Sequence, residues 1–189
     1  PMANLTAYVK LHAVFANPRY RRRAEALRHV GQINEKMLLV LDALDERWVH
    51  AEALKRLPTT VAAKDFNRAI AFAQSVSSRA TDEAVATAIS LLAPTAPLAA
   101  IVRRFVRRAD RFPPHPICGD DELRPLTSAR DFIEAGRRYR NCLATMLDRA
   151  LAGHVAFAEF RCEAIVEFRP LTLGKGWLLE QVNVARNAL

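Results

Sequence analysis

Cysteine is scarce in this 189-residue chain, and the few present follow no metal or disulfide pattern. Cys118, Cys142 and Cys162 are odd in number and form no CxxC pair. That argues against a disulfide scaffold and a four-cysteine zinc site, and it fits a reducing cytoplasm, with a Cys142–Cys162 bridge as a minor alternative. His115-Pro-Ile-Cys118 offers two ligand types without a second pair at suitable spacing, so no metal and no cofactor are expected. Glycine is also rare, at six residues, while 51% of the chain is hydrophobic. Such a composition excludes a disordered chain and supports one or two packed cores. Long apolar runs are missing too. Met37–Ala43 and Ala96–Val102 fall far short of the roughly 18 residues a bilayer-spanning helix needs, so no membrane partner is expected. The start shows no secretory-signal pattern, and Pro1 ahead of Met2 reads as a remnant of tag cleavage.

Lysine is the last scarcity. The net charge of +8 rests on 23 arginines against 5 lysines. Arginine suits planar, bidentate contacts with phosphate and carboxylate. A basic surface of this kind favours polyanions or an acidic protein partner, although a general bias toward arginine would raise the charge without any ligand.

Periodicity predicts an α+β protein. Residues 2–111 read as a helical bundle. Ala24, Leu27, Val30, Ile33, Met37, Leu38, Leu41 and Leu44 form one stripe at three/four spacing, which Gly31 kinks or divides. A helix over Ala63–Ser78 takes Phe66, Ile70, Phe72 and Val76 inward. Thr81-Asp82-Glu83 has the hydroxyl cap and first-turn acids of a helix start. Thr95-Ala-Pro97 opens a further helix running to about Asp110. Residues 112–127 are Pro-rich and non-periodic and read as a connector. Residues 128–189 read as two helices packed on a three-stranded antiparallel sheet. Thr127/Ser128 starts a helix through Ala135 that Gly136 breaks or bends. A second helix covers Tyr139–Ala152 and exits at Gly153. The period then switches to two over His154–Phe160, Ala164–Arg169 and Trp177–Val184.

The stretch Glu134-Ala-Gly-Arg-Arg-Tyr-Arg-Asn-Cys142 sets unusual polar residues between structural elements. It belongs to an ordered set. A Pro-rich lead-in precedes Leu123-Arg-Pro-Leu-Thr127, a helix ends in Glu134-Ala-Gly136, and Asn141-Cys142 stands before an apolar helix. Gly153 then precedes the first strand, Gln181 lies on the last, and Asn187 follows. In this set residues 112–187 resemble the PcfJ-like family of bacterial mobile elements and prophages. The resemblance implies a mobile-element or conjugation-related setting.

Cys142 near a helix start invites a thiolate nucleophile with His154 as base. Twelve helical residues at about 1.5 Å each would separate the two by roughly 18 Å, against the roughly 3 Å a Cys–His pair needs. Strand order instead returns other polar residues to the Cys142 end. The expected cluster is Asn141, Cys142, Arg161, Glu163, Gln181, Asn183 and Asn187, better suited to binding than to bond cleavage. The bland alternative is a buried Cys142 beside a capping Asn141.

Two basic clusters complete the sequence reading. Arg103, Arg104, Arg107, Arg108 and Arg111 fall on one face of the helix expected to end near Asp110. Arg19, Arg21, Arg22 and Arg23 gather at a helix start, where the dipole disfavours cations. Phosphate contacts would account for both, with Tyr20 and Tyr139 placed to stack on bases. Solvated faces, or pairing with Asp42, Asp45 and Glu46, are the alternative. No helix-turn-helix, RNA-recognition or zinc-finger signature is present. Three functions follow as expectations: an accessory protein binding nucleic acid, a nuclease or cysteine-dependent hydrolase at Cys142, or an inhibitor or antitoxin docking on an acidic partner.

Overall fold

The computed structural model describes residues 4–184. It is α+β, and the chain folds into two compact units. Residues up to Gln74 together with Arg79–Arg104 form the first, and Ser75–Ser78 with the residues from Phe105 onward form the second. Among the described residues no helix is long and apolar enough to cross a membrane.

The first unit is helical. It contains α1 (Leu5–Ala16), α2 (Arg21–Arg28), α3 (Glu35–Ala43), α4 (Ala51–Leu54), most of α5 (Thr60–Val76), α6 (Asp82–Ser90) and most of α7 (Ala99–Val106). Side chains start several of these helices by capturing free N–H groups. Asn4 accepts from Thr6, Asn34 from Met37, and Thr81 from Ala84 as expected. The long apolar stripe is two helices, because Gly31 turns the chain at φ +81° and Asn34 then caps a new start. Leu27, Leu38, Leu41, Trp48, Ile70 and Ile89 are all buried in the core of this unit. α1 packs on α2 and α3, and α4 packs on α2, α3 and α6. α7 stops at Val106, short of the expected Asp110. Arg108 and Ala109 turn back to the carbonyls of Phe105 and Val106, and Arg111 donates to Val76.

The second unit holds β1 (Leu123–Pro125), α8 (Ala129–Tyr139), α9 (Leu147–Leu151), β2 (Ala156–Phe160), β3 (Ala164–Pro170) and β4 (Trp177–Val184). The sheet is antiparallel in the order β1-β2-β3-β4. It has one strand more than the sequence suggested. Asp120 Oδ1 accepts from the N–H groups of Glu122 and Leu123 at 2.9 and 2.7 Å and turns the chain onto the edge of β2. Pro125 is tolerated there because an edge strand has one unpaired side. The Pro-rich segment is pinned down within this unit. Phe112 stacks on Phe132 at 5.5 Å, and His115 Nε2 donates to the Phe157 carbonyl at 2.9 Å.

α8 starts on Ser128, whose side chain accepts from Asp131 N–H, and runs unbroken through Gly136 to Tyr139. Gly136 serves a close approach and not a break: a Cβ there would lie 3.3 Å from Ala144 N. The expected second helix, Tyr139–Ala152, is in pieces. Arg140 ends α8 in the left-handed conformation, Leu143–Met146 form a 3₁₀ turn, and α9 follows. Gly153 makes the left-handed exit that was expected, at φ +73°.

Strand register fixes the face that matters. Arg124, Glu159, Ile165 and Asn183 pair across all four strands, and Phe157, Glu167 and Gln181 form the next row on the same side. Phe132 of α8 meets Phe157 edge-on at 5.6 Å, so α8 covers part of this face.

Candidate functional site

The first unit carries a cleft of about 860 Å³ with arginines on one wall. Asn17 accepts from the Arg19 N–H and starts a 3₁₀ turn over Pro18–Tyr20, and α2 follows directly. This brings Arg19, Arg21 and Arg22 to the cleft, which His50, Ala51, Ser90, Leu92 and Pro94 also line. α2 has no acid in its first turn and no side-chain cap, so cations sit where its dipole disfavours them.

Each acid lining the cleft is already neutralised by a cation outside that trio. Glu25 pairs with Arg28 and His29, both at 2.9 Å, and His29 followed by Arg28 holds its carboxyl below the usual range. Glu46 takes Arg23 Nε at 2.7 Å. Glu52 takes Lys55 and Arg56, and hydrogen bonds from these two lower its pKa to about 2. Among the described residues, Arg19, Arg21 and Arg22 form no salt bridge, and Arg22 acts on Asp45 only at longer range. His50 adds a neutral donor. Burial pushes its pKa down, and its Nδ1 accepts from Glu52 N–H, which leaves the ring proton on Nε2.

Arg23 differs from its neighbours. It is half-buried and bound to Glu46 and Asp42, so it braces α2 and is not free for phosphate. Arg103 and Arg104 are exposed on α7, whereas Arg107 and Arg108 lie in the turn after it and Arg111 lies beyond. The expected single helical face of five arginines therefore does not form. Tyr20 is exposed with Arg23 over its ring at 5.3 Å. Tyr139 is buried, and its hydroxyl donates to Glu159, so it is unavailable for stacking on bases.

The second unit brings four of the expected polar residues together. Asn141, Cys142, Gln181 and Asn183 line a pocket of about 200 Å³ with Leu143, Met146, Phe157, Ile165 and Glu167. Cys142 is exposed, which overturns the reading of it as a small buried residue, while Asn141 does cap the following turn by accepting from Leu143 N–H. Arg161 and Glu163 are not in this lining. They occupy the tight β2–β3 turn, where Arg161 pairs with Glu122. Asn187 lies outside the described residues. His154 is exposed and also absent from the lining, which contains no histidine. The three cysteines are free, so Cys142 and Cys162 are not bridged. Among the described residues no group of three or more His, Cys, Asp or Glu is placed to hold a metal ion.

Two buried glutamates escaped the sequence reading. Glu159 has 1% of its side chain exposed, accepting from Tyr139 Oη at 2.8 Å, from Arg124 Nη2 at 2.8 Å and from Arg138. Burial would raise its pKa, but Tyr139, Arg124 and Arg138 outweigh burial and leave it below the usual range. Tyr139 is raised in turn, first by burial and then by Glu159. Glu167 is buried at the pocket and receives Arg169 Nε at 3.2 Å. Their signal was an acid at an inward position of an otherwise apolar period-two strand.

Comparison of the chain with protein-family models, curated proteins and solved structures finds no match.

Proposed function

We propose that this protein binds nucleic acid through the arginine wall of the first unit. It would act in the cytoplasm as an accessory protein of a mobile element or phage-related system, the setting that the PcfJ-like resemblance implies. The observation that carries the reading is the trio Arg19, Arg21 and Arg22, none of which forms a salt bridge among the described residues. These arginines share one cleft whose own acids are paired elsewhere. Clustered like charges repel one another and oppose the α2 dipole, and a bound polyanion reverses both terms. Guanidinium groups hold phosphate oxygens in bidentate fashion, and the Nε2–H of His50 offers a further neutral donor. Tyr20, with Arg23 over one face of its ring, leaves the other face as an aromatic surface at the same turn.

The test is fluorescence anisotropy with single- and double-stranded DNA and RNA across a salt series. Binding that weakens log-linearly with salt is expected, and its loss in a variant with Arg19, Arg21 and Arg22 all changed to Gln would assign it to the cleft. Absence of salt-sensitive binding to every probe would sink the reading.

A further inference from the structure

The pocket of the second unit differs in electrostatic character from the chain that carries it. The protein is strongly basic, at +8, yet Glu167 is the sole charged residue among those lining this pocket. Glu167 is 4% exposed and lies on β3, between Phe157 of β2 and Gln181 of β4. Arg169 Nε reaches Oε1 at 3.2 Å, and no hydrogen bond from the described residues reaches Oε2. Arg169 is moreover shared. Its Nη1 lies 3.5 Å from Glu180, the residue of β4 left without a partner where the register shifts beside Glu167. Two carboxylates thus divide one guanidinium, so Arg169 does not offset both.

Oε2 keeps contact with solvent, since among the described residues the buried side-chain oxygen without a partner is Glu35 Oε1, and a cationic donor meets a carboxylate more strongly than water does. The remaining polar groups are neutral. Gln181 donates to Asn183 Oδ1 at 2.9 Å, which leaves the Gln181 carbonyl as a second acceptor. Apart from these groups the walls are apolar, from Leu143, Met146, Phe157 and Ile165. The volume of about 200 Å³ corresponds to about seven waters at ~30 Å³ each, well under a drug-sized site.

We infer that this pocket binds a small organic cation, an alkyl- or arylalkylammonium, with its charged head on Glu167 and its apolar body against Met146 and Phe157. A charge-assisted hydrogen bond to Oε2 satisfies the open position, and the aromatic and thioether surfaces take the hydrocarbon. The assignment is independent of the arginine cleft, which lies in the other unit and takes the opposite charge.

Phenethylamine is the probe, with 2-phenylethanol and phenylacetate as neutral and anionic matches of nearly equal size. Calorimetric titration of the full chain is expected to show saturable amine binding at least tenfold tighter than either match. Glu167→Gln should weaken amine binding at least tenfold, and Met146→Trp, which fills the cavity, should weaken it comparably. Cys142 is an exposed pocket residue, so bound amine should slow its alkylation by iodoacetamide while leaving exposed Cys118 unaffected. Equal binding of amine and alcohol, undiminished binding in Glu167→Gln, or no saturable amine binding would each overturn the assignment. The comparison of the three probes on the unaltered chain decides the matter even if a variant fails to fold.

Discussion

Glu159 occupies an interior strand with almost none of its side chain in water, and it persists there as a carboxylate because three donors converge on it. Both arginines keep about half of their side chains exposed, at 52% and 50%, so solvent screens their share of the interaction. Tyr139 is different: its hydroxyl is buried and loses its acceptor if Glu159 is removed. Glu159→Gln keeps one oxygen to accept from Tyr139 but loses the charge and turns an NH2 donor toward an arginine, and it is expected to cost about 2–3 kcal/mol in urea unfolding at neutral pH, below the 3–5 kcal/mol of a fully buried pair. The folded pKa of Glu159 is depressed, so its contribution is complete above the ordinary value of 4.5 and is lost as pH falls through the lower folded value. The stability gap between the native chain and Glu159→Gln should accordingly close in acid. A gap that stays constant would show that the carboxylate's charge does not matter.

At the scale of elements, the β2–β3 turn is strained. Arg161 and Cys162 have φ of 47° and 59°, and Glu163 N–H donates to Phe160 O at 2.8 Å. Positive φ at both central residues favours Asn-Gly, and each ordinary residue there costs about 1–2 kcal/mol. Changing Arg161 to Asn together with Cys162 to Gly should raise stability by about 1–2 kcal/mol, less the exposed Arg161–Glu122 pair, as read by thermal and urea unfolding. Gly136→Ala should behave in the opposite way to its helix propensity. Propensity alone predicts a gain of about 1 kcal/mol, but the new Cβ would press on the Ala144 backbone at 3.3 Å, and a net loss of about 1 kcal/mol is expected.

The same elements show what sequence can convey. The switch from three/four spacing to alternation marked the passage from helices to β2, β3 and β4, and Ser128, Thr81 and Gly153 acted as local chemistry dictates. β1 escaped because Leu-Arg-Pro is too short for a period and contains a residue that reads as a break. The division of α2 from α3 was obscured by apolar spacing that continues across Gly31. Gln181 and Asn183 were legible beside Asn141 and Cys142 from strand order, whereas Glu167 was not. Nor was the network around Glu159, since its partner Arg124 lies 35 residues away in sequence and only sheet register joins the two.

On the scale of the whole molecule, the positive charge is unevenly compensated. Arg23, Arg28, Arg47, Arg56, Arg124 and Arg138 are bound to carboxylates and serve the fold. Arg19, Arg21 and Arg22 are among the arginines of the described residues that form no salt bridge, and these three share a cleft. The measurement that bears most directly on the account is the salt dependence of nucleic-acid affinity, compared between the native chain and the chain with these three arginines changed to Gln. If the cleft holds phosphates, log affinity should fall linearly with log salt, and the triple change should reduce that slope by about 2–3, at ~0.7–0.9 per lost contact. An unaltered slope and affinity, with the fold intact by circular dichroism, would contradict the assignment of the cleft as the binding surface.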